Sequence, residues 1–189
     1  SRSYVLDANG NRTGMVDENG NATTYAYDSL NRLVKQTNAL GEVTEYAYDA
    51  LGNRTRMLDA NGHATTFAYD GANRLTSQTD ALGQQTRFEY DALGNRTRIV
   101  DANGHVTQAT YDANNRQISQ TDASGNVSRF TWDAVGNRTT VLDANGHAST
   151  FSYDANNRIT SMVDALGNTT RYEWDKVGNR TREIDANGH

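Results

Sequence analysis

The sequence predicts an all-β protein built from tandem antiparallel β-hairpins. An aromatic–aspartate pair recurs every 21 residues from Tyr27-Asp28 to Trp174-Asp175, and the 189 residues span nine such periods. Each period carries two short strand-like runs, the second of them rich in Thr and aromatic residues, separated by turns that contain Asp, Asn and Gly. The chain has no Pro, which suits a sheet in which nearly every backbone N–H has a ladder partner.

The repeat that spans residues 48–68 shows the expected elements in order. Residues 49–53 form a turn, 54–58 a strand, 59–62 a second turn and 63–69 a second strand. Asp at the start of a turn accepts hydrogen bonds from amides two or three residues later, and Gly near its end takes a positive φ. We expect a type I turn closed by a glycine bulge. Strands joined this tightly run antiparallel, because a parallel crossover needs about a dozen residues or more.

The aromatic residues define one face of the predicted sheet. Phe67 and Tyr69 stand two positions apart and therefore share a face. Thr66 and Ala68 point the other way. All aromatic residues of the chain fall into these two columns, and among the full repeats only Ala109 interrupts them. We expect the rings of neighbouring hairpins to pack in rows, each cross-strand contact stabilising the sheet by about 0.2–1 kcal/mol.

Successive repeats differ at the corner that follows the aromatic–Asp pair. The corner Tyr48–Arg54 contains seven residues and the corner Tyr69–Arg74 contains six, so the complete unit has 42 residues and two unequal hairpins. Alternating corner lengths would let a long sheet curve consistently. We expect about eighteen strands, which at about 4.8 Å spacing form a strip on the order of 85 Å wide if flat. Twisted sheets of that size coil, so a continuous curved sheet is predicted.

Composition excludes several classes of function. The net charge is −5 and the chain has no basic stripe, so nucleic-acid binding is not expected. Charges alternate in sign along each repeat, which is typical of a solvated, self-pairing surface. The absence of Cys excludes disulfides and thiolate metal sites, and no apolar run is long enough to enter a membrane as a spanning helix. A mean hydropathy of −0.81 indicates much wet surface and no thick two-layer core.

The histidines at positions 63, 105, 147 and 189 could suggest a metal ladder. They lie 42 residues apart, which places them four strands or about 19 Å apart in a hairpin sheet. Zinc–nitrogen bonds are only about 2.0–2.1 Å long, so we assign these histidines a structural role beside the turn. The Asp59–Gly62 turn resembles the opening of a calcium loop but lacks its later acidic ligands. No metal and no cofactor are predicted.

Asp and Arg flank the same corner in each repeat, as Asp28 with Arg32 and Asp91 with Arg96. General acid–base catalysis needs one distinct environment, whereas these pairs recur along the whole array. We therefore predict corner-closing hydrogen bonds and ion pairs, no catalytic residue and no enzymatic activity. The repeat also creates Asn-Arg-Thr sequons, which match the glycosylation pattern at Asn11, Asn53, Asn95, Asn137 and Asn179.

The consensus Tyr-Asp-x-x-Gly-Asn-Arg, followed by Asp-Ala-x-Gly and Thr-x-Phe-x-Tyr-Asp, resembles the RHS repeat, also called the YD repeat. Residues 90–96 match it closely, and the resemblance covers the whole chain. It implies a β-strip that spirals into a hollow shell or tube. Such shells enclose a C-terminal toxin in bacterial RHS proteins and in the C component of Tc toxins, and support cell adhesion in animal teneurins. The near-identical copies resemble the bacterial type more than teneurins.

The residues that build this motif are predicted to be structural. They are Tyr27, Asp28, Arg32, Tyr48, Asp49, Gly52, Arg54, Tyr69, Asp70, Arg74, Tyr90, Asp91, Gly94, Arg96, Tyr111, Asp112, Arg116, Trp132, Asp133, Gly136, Arg138, Tyr153, Asp154, Arg158, Trp174, Asp175, Gly178 and Arg180. The Asp-Pro-x-Gly signature of the family's self-cleaving core is absent, so no self-cleavage residue is assigned.

We expect a structural segment of a secreted or cell-surface RHS shell that encloses or displays a cargo. Its partners would be the remaining repeats of the same protein and an enclosed C-terminal cargo domain, and neither nucleic acid binding nor membrane insertion is expected. The alternative is an adhesion or carbohydrate-binding scaffold, including an open tube or filament, whose exposed rings stack on sugars. Residues 1–189 are predicted to be a single array of about nine repeats from a longer protein, since both ends cut through repeats.

Two other folds compete with the hairpin strip. The 42-residue unit, Gly104-His105 and Trp132-Asp133 are similar to features of WD-repeat propellers. The 21-residue halves are too alike for propeller blades, which have four dissimilar strands. A β-hairpin solenoid is the closer competitor.

Overall fold

The computed structural model describes residues 1–189 and contains eighteen β-strands and no helix. The first nine strands are β1 (Ser3–Leu6), β2 (Arg12–Val16), β3 (Ala22–Tyr27), β4 (Leu33–Thr37), β5 (Val43–Tyr48), β6 (Arg54–Leu58), β7 (Ala64–Tyr69), β8 (Leu75–Thr79) and β9 (Gln85–Tyr90). The others are β10 (Arg96–Val100), β11 (Val106–Tyr111), β12 (Gln117–Thr121), β13 (Val127–Trp132), β14 (Arg138–Leu142), β15 (Ala148–Tyr153), β16 (Ile159–Val163), β17 (Thr169–Trp174) and β18 (Arg180–Ile184). The chain contains no helix of the length and apolarity needed to cross a membrane.

The chain divides into two compact units, one formed by Ser1–Glu89 with Val100–Gly104 and the other by Tyr90–Ile99 with His105–His189. In the first unit, each strand from β1 to β9 pairs antiparallel with the next along the chain. In the second unit, the strands from β11 to β18 pair in the same way. The predicted all-β class of antiparallel hairpins is confirmed. Each run is longer than the four-stranded blade of a propeller.

A five-residue turn joins the strands at both ends. At one end Asp49 N–H donates to the Asn53 carbonyl (2.9 Å) and Gly52 N–H to the Asp49 carbonyl (3.2 Å). At the other end the turn from Asp59 to His63 has the same two bonds, each 3.0 Å. A six-residue strand, a turn, a five-residue strand and a second turn therefore make up the 21-residue repeat. This is the predicted type I turn with a residue of positive φ at its fourth position.

The predicted difference in corner length is wrong. Tyr48 pairs with Arg54 and Tyr69 pairs with Leu75, so both corners place the same number of residues between the paired positions. The position with positive φ is Gly52 (90°) in one corner and Asn73 (61°) in the next. Asn tolerates the left-handed conformation better than most residues, so it replaces Gly without changing the turn. The 42-residue period is therefore one of side chains and not of backbone length.

Equal corners lead to a prediction about Gly52. Gly52→Asn should change the free energy of unfolding by less than about 1 kcal/mol, because Asn already occupies this turn position in alternate repeats. Gly52→Val should cost about 1–2 kcal/mol, because a β-branched residue is strained at positive φ. Urea denaturation followed by circular dichroism measures both variants. Equal destabilisation by Asn and Val would contradict the equivalence of the two corners.

The corners that follow aromatic–Asp pairs carry a β-bulge, as the pairing of β5 with β6 shows. Ala47 pairs with Arg56 and Tyr48 with Arg54, which leaves Thr55 as an extra residue on β6. The turns at the opposite edge have no such irregularity, as the pairs Met57–Thr65 and Leu58–Ala64 show. Bulges bend the strand and increase its right-handed twist. The repeat thus places its bulges at one edge only.

Neither unit has a buried interior. No side chain of the chain is fully buried, which agrees with the low hydropathy. Along β7 the residues alternate between half-buried Thr65, Phe67 and Tyr69 and exposed Thr66 and Ala68. One face therefore carries the aromatic columns and the other is polar. The fold is therefore stabilised by the backbone hydrogen bonds between strands, by the turns and by side-chain contacts within a single layer of strands.

Candidate functional site

The predicted structural residues lie along one edge of the strands and on the aromatic face beside it. We call this the YD edge, and its corners are of two kinds. Glycine corners, with Gly at the position of positive φ, are residues 7–11, 49–53, 91–95, 133–137 and 175–179. Asparagine corners, with Asn at that position, are residues 28–32, 70–74, 112–116 and 154–158.

In a glycine corner the first residue, Asp, organises the turn. Asp49 Oδ1 accepts hydrogen bonds from the backbone N–H groups of Leu51 and Asn53, both at 2.9 Å. Its Oδ2 accepts one from Asn53 Nδ2 at 3.0 Å. The hydrogen bond from the Asn53 side chain is the main cause that lowers the pKa of Asp49, and partial burial opposes it. The carboxylate is thus held ionised by the turn that it stabilises.

In an asparagine corner Arg occupies the fifth position, where a glycine corner has Asn. Arg32 Nε donates to Asp28 Oδ2 at 2.7 Å, while Asp28 Oδ1 accepts from the backbone of Leu30 and Arg32. The backbone N–H of Arg32 is the main cause that lowers the pKa of Asp28. The expected corner-closing ion pair exists here. In glycine corners Asn supplies the side-chain donor instead, as Asn95 does for Asp91 at 2.9 Å.

The two kinds of corner are linked in alternation along the YD edge. From a glycine corner, Asn95 Nδ2 donates to Asn115 Oδ1 of the next corner at 2.9 Å. From that asparagine corner, an Arg116 guanidinium nitrogen donates to the Asp133 carbonyl at 2.7 Å. Asn53 with Asn73, and Arg32 with the Asp49 carbonyl, repeat these links at 3.0 and 2.8 Å. Each of these donors points to the following corner, so the 42-residue period has a physical basis.

Converting one corner into the other kind tests these links. The double substitution Asn115→Gly and Arg116→Asn keeps a turn composition that glycine corners already use, but removes the bonds to Asn95 and to the Asp133 carbonyl. We expect the free energy of unfolding to fall by about 2 kcal/mol, since two partly exposed hydrogen bonds and the Arg116 contact with Trp132 are lost. The measurement is urea denaturation of both chains.

His147→Asn is the matched control for that double variant. It places Asn at the fifth position of a turn at the opposite edge, as in residues 164–168, where Asn168 Nδ2 donates to Asp164 Oδ2 at 2.8 Å. We expect a change within about 0.5 kcal/mol. If both variants lose the same free energy of unfolding, the links between corners along the YD edge do not stabilise the chain more than a turn at the opposite edge does.

The second aromatic column binds the backbone of the preceding repeat. Tyr48 donates from its hydroxyl to the Leu33 carbonyl at 2.8 Å. Trp132 donates from Nε1 to the Gln117 carbonyl at 2.8 Å, the same relation of fifteen positions. Because an indole N–H and a phenol hydroxyl reach the same acceptor, Tyr and Trp can alternate in this column. Trp174 makes the equivalent bond at 2.7 Å.

Sequence reasoning missed the role of the arginine that follows each glycine corner. Arg54 pairs across from Tyr48, and its Cζ lies 5.8 Å from the ring centroid of Tyr46 and 5.1 Å from that of Phe67. Arg138 lies between Phe130 and Phe151 at 5.8 and 5.9 Å. These distances are within cation–π range. The only sequence signal was that such an arginine recurs every 42 residues.

The guanidinium groups of the asparagine corners cover the second column. Arg32 lies 4.9 Å from the Tyr48 centroid, and Arg158 lies 5.6 Å from the Trp174 ring. Arginine therefore covers both columns of rings at alternate hairpins. This cover replaces, in part, the second layer that the sheet lacks, because Arg stacks on aromatic faces while its charge remains hydrated.

At the opposite edge, His63 occupies the place that Asn53 has at the YD edge. His63 Nδ1 lies 3.2 Å from Asp59 Oδ2, and His147 has the same distance to Asp143. No group of three or more potential metal-binding side chains occurs in the chain. The histidines thus sit in the turn beside their own Asp.

Acidic and basic side chains alternate along the sequence, but in the structure they lie in different places. Every Asp of the chain heads a turn. Few cations share the turns with them, namely Arg32, Arg74, Arg116, Arg158 and Lys176. The other Lys and Arg residues lie in the strands or beside them. The edges are therefore acidic and the strands basic, which the alternation of charges along the sequence did not predict.

These features define a class of protein: a structural repeat scaffold in which similar hairpins are joined by hydrogen bonds and ring contacts. The RHS Repeat family model matches residues 7–42, 27–66, 48–84, 69–106, 111–148 and 153–189. The chain belongs to the RHS repeat family. A comparison with curated proteins gave no match.

Solved structures share the fold. The chain is similar to the crystal structure of TcdB2-TccC3, with 17% identity, a TM-score of 0.62, and coverage of 97% of this chain and 14% of that one. A Tc holotoxin pore from Photorhabdus luminescens gives 17% identity, a TM-score of 0.63, and coverage of 97% and 13%. The crystal structure of TcdB2-TccC3 without its hypervariable C-terminal region gives 15% identity and a TM-score of 0.64, with coverage of 97% of this chain and 15% of that one. The chain thus spans about a seventh of the length of these proteins.

Proposed function

We propose that this chain is a wall segment of an RHS shell that encloses a cargo polypeptide outside the cell that makes it. The observation that carries the proposal is that the same turn, bulge and ring contacts recur in repeat after repeat. A wall needs cohesion between neighbouring repeats and no unique site. The likeness to TcdB2-TccC3 structures supports this assignment at the level of the fold.

Charge placement also supports a wall. A single layer of strands exposes both faces, and a large apolar face would make such a sheet associate with itself. Here arginine lies over the rings of one face, and the other face carries polar residues such as Thr66, Lys35 and Glu45, of which the last two lie 3.8 Å apart. Acidic edges add repulsion between copies. Such a layer can have contents on one side and solvent on the other.

A carbohydrate-binding or adhesive scaffold is less favoured. Stacking on a sugar needs an uncovered ring face, whereas guanidinium groups lie within 6 Å of the ring centroids of Tyr48, Phe67 and Trp174. Acrylamide quenching of Trp132 and Trp174 fluorescence compares the two functions. A wall predicts partial shielding of both indoles, and quenching as strong as that of free tryptophan would favour the adhesive scaffold.

Electron microscopy of the full-length protein tests enclosure directly. We expect a hollow particle whose wall is one sheet thick. A cargo domain inside it should resist protease until the wall is opened by acid. A compact solid particle, or a cargo cleaved as fast as the same domain alone, would refute the enclosure.

A further inference from the structure

The first aromatic column has one gap, and the gap coincides with a depression in the second unit. Eight of the nine strands that carry this column have Tyr or Phe there, and β11 has Ala109. The depression has a volume of about 150 Å³. Its lining includes Arg96, Ile99, Ala109, Tyr111 and Gln120. A pocket therefore lies where the repeat normally places a ring.

The other repeats show what normally fills this position. Arg54 contacts the ring of Phe67 on the following strand, and Arg138 contacts Phe151 in the same way, at 5.1 and 5.9 Å. Ala109 is the residue equivalent to Phe67 and Phe151 in the repeat that follows Arg96. The internal repeats are thus a template for a ring stacked beside an arginine.

The size and lining of the pocket suit a ring that carries a polar group. A cavity of roughly 150 Å³ lined by apolar side chains accommodates benzene. Ile99 and Ala109 supply apolar surface. The Tyr111 hydroxyl donates to the Arg96 carbonyl at 3.0 Å, which holds one wall in place. Gln120 pairs across from Ala109 and accepts from Gln117 Nε2 at 3.3 Å, so amide groups line the rim.

We propose that the Ala109 pocket binds an aromatic side chain, tyrosine or tryptophan, presented by a second polypeptide. The ring would stack beside the Arg96 guanidinium, whose positive charge complements the ring face. Its hydroxyl or indole N–H would meet the Gln120 amide. This site does not depend on the shell function, because it follows from the missing ring alone.

The test uses N-acetyltyrosinamide and N-acetyltryptophanamide as probes, with saturation-transfer NMR and a titration that gives the stoichiometry. We expect one site with a roughly millimolar Kd, as befits a small ligand in an open pocket. Ala109→Phe restores the ring and should weaken binding at least about tenfold. The same variant should raise the melting temperature, which shows that it folds.

Phe67→Ala is the matched variant, because it creates the equivalent gap in the first unit beside Arg54. The number of probe molecules bound should rise from one to two. If that variant does not fold, the comparison of the unmodified chain with Ala109→Phe decides alone. Equal binding to those two chains overturns the proposal. The proposal is also overturned if the pocket binds N-acetylglucosamine and not the aromatic amides, and if Ala109→Phe abolishes that binding.

Discussion

Acidification below the ordinary aspartate pKa of about 3.9 is expected to unfold the array progressively. The pKa is lowered for fifteen of the aspartates that begin the turns. These residues are Asp7, Asp17, Asp28, Asp49, Asp59, Asp70, Asp91, Asp112, Asp122, Asp133, Asp143, Asp154, Asp164, Asp175 and Asp185. A carboxyl whose folded pKa lies below its unfolded value of about 3.9 stabilises the fold above that value. This stability is lost as the pH falls through the folded pKa values.

The effect is large because the same group is protonated in nearly every turn. Asp49 shows the mechanism, since its two oxygens accept three hydrogen bonds from Leu51 and Asn53. Protonation removes acceptor capacity and places an O–H opposite the Asn53 amide donor. Individual turns lose little, yet the loss accumulates along a repeat array whose stability is a sum over repeats.

Far-ultraviolet circular dichroism and tryptophan fluorescence between pH 7 and 2 measure the transition. Adding about 0.5 M NaCl at the low-pH end is the control, because salt screens repulsion among the 18 Lys and Arg residues but does not restore the turn acceptors. We expect salt to shift the midpoint only slightly. A chain that keeps its strand signal at pH 2, or one that salt refolds completely, would contradict the role given to the aspartates.

Trp132→Ala is expected to lower the free energy of unfolding by about 3 kcal/mol, the low end for removal of a large aromatic side chain. Three contacts are lost together. The indole packs in the aromatic face, Nε1 donates to the Gln117 carbonyl at 2.8 Å, and the Arg116 Cζ lies 5.9 Å from the ring. The side chain is only half-buried, which keeps the loss below that of a core residue. Urea denaturation of both chains, followed by circular dichroism, gives the difference.

Two further substitutions at Trp132 separate these contributions. Trp132→Tyr should cost less than about 1 kcal/mol, because Tyr48 makes the equivalent bond to the Leu33 carbonyl. Trp132→Phe keeps a ring but lacks the donor, and should cost about 1 kcal/mol more than Tyr. If Phe and Tyr are equally stable, the hydrogen bond to the preceding repeat contributes nothing and the column is held by packing alone.

The strands and their antiparallel pairing followed from local signals. Asp, Gly and Asn at set positions of a five-residue turn leave the chain one short way to return, so neighbouring strands pair without long-range information. The aromatic face was predictable for the same reason, because Phe67 and Tyr69 are two positions apart on one strand. These inferences needed only contacts between residues close in sequence.

The backbone geometry of the corners could not be predicted from the sequence. The spacing from Tyr to Arg differs between Tyr48–Arg54 and Tyr69–Arg74, and this difference suggested unequal loops. The register shows equal turns, because Asn73 adopts the positive φ that Gly52 has. Spacing in a sequence cannot reveal that two residue types share one backbone conformation.

The stacked arginines depend on contacts between neighbouring strands. The bulge at Thr55 shifts the alternation of side chains on β6, so Arg54 shares a face with the rings although simple alternation does not require it. The pocket at Ala109 has the same origin. The sequence showed that a ring was missing, and only the arrangement of β10, β11 and β12 showed that the space stays open.

By itself, the sequence determined the repeat, the all-β class, the turn-heading aspartates and the face that carries the rings. These depend on hydrogen bonds and alternation within about six residues, which a linear pattern records. The tertiary structure alone decided the links from one corner to the next, the arginine cover over the rings and the separation of acidic edges from basic strands. Those features join residues eight to twenty-two positions apart, so they exist only when strand register and bulges bring them together.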